Sequence, residues 1–99
     1  MKNIEIKLDI NGEEKTFVCT KVKGILLRKT ASISKTFDKL EKIFSDEILD
    51  EIADYAVEVF DKKFTREEFY NGIELDEMLP TMLNIAEEIM AKAASKIKN

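Results

Sequence analysis

From Ile4 to Ile10 apolar and polar residues alternate without a break: Ile4, Ile6, Leu8 and Ile10 fall on one face, Glu5, Lys7 and Asp9 on the other. Period-two alternation marks a half-buried strand. Asn11-Gly12 follows, the pair best suited to a two-residue hairpin turn in which both positions need positive φ. Such a turn sets Ile10 opposite Glu13, Leu8 opposite Lys15, Ile6 opposite Phe17 and Ile4 opposite Cys19. Phe17 and Cys19 then join the apolar face, which makes Cys19 most simply a small buried hydrophobe rather than a reactive thiol. A lone hairpin is marginal in water, so helices must cover that face. The hairpin's open edge, with Glu5, Lys7, Thr16 and Val18 directed away from the core, is a candidate for self-association.

Beyond Cys19 the period lengthens to that of a helix. Ile33, Phe37, Leu40 and Phe44 share one face of a first helix over about residues 22–44, extended backward by Val22, Leu26 and Leu27. Thr30, Ser32, Ser34 and Thr36 compete for backbone hydrogen bonds and predict a break or kink near 30–36. A second helix, about 46–61, starts at the cap Ser45 with Asp46 and Glu47 in its first turn and a staple between Phe44 and Leu49. Leu49, Ile52, Ala53, Ala56, Val57 and Phe60 form its inward stripe; Asp50, Glu51, Asp54 and Glu58 line its outer side. A short third helix, about 65–71, carries a reciprocal capping box (Thr65 with Glu68) and a staple (Phe64 with Phe69), and Asn71-Gly72 supplies a left-handed ending. The fourth, about 77–97, is capped by Asp76, and Pro80 is tolerable only near its first turn, where N–H groups lack partners. The whole is α+β and mostly helical: one domain over residues 1–99, an N-terminal two-stranded hairpin (3–19) packed with about four helices.

The fourth helix is apolar on two adjacent stripes. One holds Leu79, Leu83, Ala86, Met90, Ala93 and Ile97; beside it run Met78, Met82, Ile85 and Ile89. Together they exceed what packing on one side of a small core requires. Either both stripes lie deep in the core, or the surplus binds a partner, a use to which flexible methionines are suited. Met78, Met82, Ile85, Ile89 and Met90 are the candidate partner-binding residues.

Composition narrows the chemistry. Ninety-nine residues support a single modest core, burying roughly two thirds of the unfolded surface. No apolar run nears the ~18 residues of a membrane span, the first residues are not expected to be a signal peptide, and one cysteine fits a reducing cytosol. There is no histidine, hence no Ser–His or Cys–His pair, and no Gly-rich phosphate loop or calcium-loop pattern. Asp50 with Asp54 and Glu47 with Glu51 are i, i+4 pairs on an exposed face, where like charges mildly repel. No catalytic residue, metal ligand or cofactor is expected, and the chain is not expected to be an enzyme. The net charge of −4 hides a division: residues 21–43 are basic, residues 44–90 strongly acidic. The acidic half disfavours nucleic acid, and the division suits either internal pairing or attraction between copies.

Three stretches carry a family resemblance: Ile-Glu-Ile-Lys-Leu-Asp-Ile-Asn-Gly-Glu-Glu-Lys-Thr-Phe-Val (4–18), Val-Glu-Val-Phe (57–60) with Lys-Phe-Thr-Arg-Glu-Glu-Phe-Tyr-Asn-Gly-Ile (63–73), and Leu-Pro-Thr-Met-Leu (79–83). Together they resemble the tail assembly chaperones of long-tailed (siphovirus-type) bacteriophages and prophages. The departure is greatest between Cys19 and Thr36, where Lys21, Lys23 and Gly24 replace an apolar or proline-containing run. The resemblance implies a non-structural viral protein that binds the tape measure protein in the host bacterial cytoplasm, keeps it soluble, and is not expected in the mature virion. It also implies homo-oligomers and a longer frameshifted form, through which the tail-tube protein would be reached; residue 99 would then end the short form. The alternative is a small homo-oligomeric structural or interaction protein of the phage particle.

Overall fold

A computed structural model of the chain describes residues 4–40 and 45–97, the last three by backbone alone. It shows a two-stranded antiparallel hairpin followed by four helices, an α+β fold. Strands β1 (Ile4–Ile10) and β2 (Glu13–Cys19) pair in the register that the turn dictates, from Ile10 opposite Glu13 to Ile4 opposite Cys19. Asn11 (φ 55°) and Gly12 (φ 82°) both take the left-handed conformation of a type I′ turn. Ile4, Ile6, Leu8 and Cys19 are buried, whereas Glu5 and Lys7 are exposed.

Helix α1 (Gly24–Leu40) is unbroken through the hydroxyl-rich stretch. The expected break does not occur, although two hydroxyls bond back to carbonyls of their own helix: Thr30 Oγ1 donates to the Leu26 carbonyl (2.7 Å) and Ser34 Oγ to the Thr30 carbonyl (3.0 Å). With its proton so committed, Thr30 Oγ1 accepts from the Tyr55 hydroxyl at 2.6 Å. Thr36 donates across the same seam to Glu51 Oε2 at 2.9 Å. Leu26, Ile33 and Leu40 supply the buried apolar side of α1; Leu27 is exposed. Phe44, with its staple on Leu49, lies outside the described residues.

Helix α2 (Asp46–Val59) is capped by Ser45 Oγ, which accepts from the Ile48 N–H at 3.2 Å. It ends in paired returns of Lys62 N–H to the Val57 carbonyl (2.8 Å) and Asp61 N–H to the Glu58 carbonyl (3.2 Å), a Schellman closure that sets Asp61 and Lys62 left-handed. Helix α3 (Arg66–Gly72) has its capping box, with Thr65 and Glu68 bonding reciprocally at 2.9 and 3.0 Å, and the rings of Phe64 and Phe69 stack 6.4 Å apart. The left-handed ending expected at Asn71-Gly72 does not occur: the chain leaves at Ile73 in an extended conformation (φ −124°). Gly72 is small for another reason. A Cβ there would stand 2.9 Å from the Asp9 carbonyl oxygen and 3.0 Å from Leu8 Cβ, so α3 touches β1 where only a glycine fits.

Helix α4 (Leu75–Ile97) begins two residues earlier than Asp76 capping implies, because the Glu74 carbonyl takes the N–H groups of Glu77 and Met78. Pro80 therefore sits in the second turn, where it offers no N–H to the Asp76 carbonyl, and both residues are exposed. The elements close a ring. α1 packs on α2 and α4, α2 on α3, and both α3 and α4 on β1, leaving β2 outside with β1 as its sheet partner. Phe60, Phe69, Ile4, Leu8, Ile52, Met82, Ile85 and Ile89 fill the centre.

Candidate partner-binding surface

Of the two apolar stripes on α4, packing on β1 and α1 takes one and leaves the other partly in water. Met78, Met82, Ile85 and Ile89 are buried, the last three almost completely. Four of the five residues assigned to a partner from the pattern alone are thus core residues, and only Met90, 42 % exposed, faces out. The outer stripe is the one that starts at Leu79: Leu83 is 46 % exposed and lies two turns from Met90, while Leu79 is half-buried and Ala86 buried. Leu75, at the first position of α4, is 87 % exposed. A signal for this choice exists in the sequence. Glu87 shares the face of Leu83 and Met90 at i+4 and i+7 spacing, and a carboxylate on a stripe keeps that stripe near solvent.

Two further apolar residues, Ile25 and Leu27, are exposed at the start of α1. On the hairpin Glu5, Lys7 and Thr16 are exposed and Val18 half-buried. In a two-residue hairpin the closing pair Ile10–Glu13 exchanges hydrogen bonds, so alternate β2 residues (Glu14, Thr16 and Val18) direct their backbone N–H and C=O groups to the outer edge.

One polar cluster was not foreseen. Arg66, at the start of α3, reaches both Asp50 and Asp54: its Nε and Nη2 donate to Asp54 at 2.9 and 2.8 Å, and Nη1 stands 3.4 Å from Asp50 Oδ2. Tyr70, one turn along, donates to Asp50 Oδ1 at 2.7 Å. The two carboxylates that would repel on an isolated helix instead clamp α3 to α2. A cation from an element distant in sequence is invisible to i, i+4 spacing. Desolvation and the bond to Asp50 push the Tyr70 hydroxyl well above its ordinary range.

Grooves are shallow and mixed in polarity. One of about 410 Å³ separates α1 from α2 and is lined by Lys29, Ile33, Thr36, Glu51 and Tyr55 among others. Another of about 470 Å³ lies beside Cys19, between Val18, Ile25, Val59 and Phe60, with Lys21, Lys23 and Lys63 at its rim. The Cys19 thiol is buried, with Sγ 3.6 Å from the Lys21 carbonyl oxygen, and desolvation raises its pKa. Among the described residues no group of three or more His, Cys, Asp or Glu is placed to hold a metal ion, and no helix is long and apolar enough to cross a membrane. What the surface offers is therefore apolar contact on α4 and the start of α1, bordered by charge.

A family model described as a phage tail chaperone protein matches residues 1–99. No curated protein and no solved structure matches the chain.

Proposed function

The chain belongs to the phage tail chaperone family, and from that membership we propose that it binds the tape measure protein and keeps it soluble while the tail is assembled. The observation that carries the reading is the outer face of α4, where Leu83 and Met90 stand exposed beside a core already filled by the neighbouring stripe. A tape measure protein is expected to be a long, largely helical chain with apolar seams. Exposed leucine and methionine side chains cover such seams through many weak contacts that tolerate varied sequence. Charged residues around them keep the carrier from binding itself indiscriminately.

The test is co-expression with the tape measure protein of the same phage. Wild-type chain should raise its soluble fraction, and the pair Leu83→Asp with Met90→Asp should abolish most of that gain. Both positions are exposed, so the pair should leave the thermal midpoint nearly unchanged. Full solubilisation by the double variant would remove the α4 face from the reading. Met82→Asp is not a usable probe, because Met82 is fully buried and a charge there would unfold the protein.

A further inference from the structure

We propose that α1 is a lid: it separates from α2 and α4 while the rest of the ring stays folded, and its departure uncovers apolar side chains on which the partner docks. The inference rests on the reading of the chain as an apolar-surface binder and adds how a closed core serves that role. In the closed form most of the α4 apolar surface is inside, including Met82, Ile85 and Ile89. Whatever α1 covers on α2 and α4 becomes available only when α1 moves.

Three independent features single out this helix. Its own helical tendency is poor: Gly24, Ile25, Thr30, Ser32, Ile33, Ser34 and Thr36 are all weak helix formers. Its start is electrostatically wrong as well. The first turn holds no acid, and Lys21 and Lys23 precede it at the positive end of the helix dipole. α2, α3 and α4 all carry two acids there, and α2 and α3 have side-chain caps besides.

The second feature is the seam. Thr30 and Thr36 are the buried polar residues among those described, and both belong to α1. Their bonds cross to Tyr55 and Glu51 of α2, beside the 410 Å³ groove that already runs between the two helices. Water can replace such bonds when the helices part, so this seam costs less to open than an all-apolar one. The third is topology. α1 bridges α2 and α4, whereas α2, α3, β1 and α4 form an unbroken chain of contacts without it. Residues 20–23 have no regular structure and supply a hinge on the β2 side.

Hydrogen exchange on the full chain tests the lid directly. Amides of α1 should exchange at least about tenfold faster than those of α4 between Met82 and Ile89, the behaviour of a separate opening unit. Gly24→Ala with Ser32→Ala gives α1 two better helix formers at exposed positions without changing any charge, and a Cβ on Gly24 meets nothing within 4 Å. This variant should slow α1 exchange several-fold and reduce capture of co-expressed tape measure protein in step. Exchange of α1 and α4 as a single cooperative unit would overturn the proposal, and so would undiminished capture by the stabilised variant. Failure of the wild-type chain to capture tape measure protein would instead strike the binding reading, with the exchange rates still deciding whether α1 opens.

Discussion

At the residue scale, Gly72 shows how one side chain can be fixed by a neighbour far away in sequence. It is helical, so no unusual backbone angle demands glycine, and helix propensity alone would favour alanine by about 1 kcal/mol. The Asp9 backbone opposes this. Its carbonyl oxygen and amide nitrogen lie 2.9 and 3.1 Å from where a Cβ would be, and backbone cannot swing aside as a side chain can. Gly72→Ala should therefore lower stability by about 1–3 kcal/mol, the usual cost of forcing an extra carbon into a packed site. A urea midpoint equal to or above that of the wild type would mean that α3 and β1 can part without penalty. Thr30 and Tyr55 show the same dependence on distance: the hydroxyl that weakens a lone helix becomes, once α2 is in place, the acceptor that satisfies a buried phenol.

At the scale of elements, Pro80 decides how α4 is built. Sitting in the second turn, it withholds an N–H from the Asp76 carbonyl and its ring crowds that turn. Pro80→Ala should restore the bond and raise stability by about 1–2 kcal/mol, after allowing for the greater freedom the unfolded chain then gains; a lowered urea midpoint would show instead that the proline shapes the helix start. Local signals made much of this fold readable in advance. The hairpin register, the Ser45 cap, the capping box at Thr65 and the staple of Phe64 on Phe69 depend on residues within a few positions of one another, and each is present. The α4 surface was less legible, since both of its stripes are apolar and periodicity cannot say which of them meets β1 and α1. Met78, Met82, Ile85 and Ile89 carry a large side chain at every position, while the other stripe is interrupted by Ala86 and Ala93. The bulkier stripe fills the core, and Leu83 and Met90 remain outside. The clamp of Arg66 on Asp50 and Asp54 was hidden for the same reason, because it joins two helices whose approach only the tertiary structure specifies.

For the molecule as a whole, the two tyrosines report on whether the ring is closed. Tyr55 lies in the seam between α1 and α2, and Tyr70 on the clamp between α2 and α3. Desolvation raises the pKa of both above the ordinary value of 10.0, and at Tyr70 the bond to Asp50 adds to it. The sign of the consequence follows from which form the fold prefers. Both sites favour the neutral phenol, so their contribution to stability is complete below pH 10. It drains away as the pH rises past that value, where the unfolded chain ionises and the folded chain does not. The protein has two tyrosines and no tryptophan, so absorbance near 295 nm reads their ionisation without interference. In native protein that signal should rise at higher pH than in concentrated urea, where both phenols should titrate near 10, and its rise should accompany loss of helical circular dichroism. A native titration centred at 10 with the helices intact would mean that water already reaches both phenols, and that neither the α1–α2 seam nor the α2–α3 clamp is closed in solution.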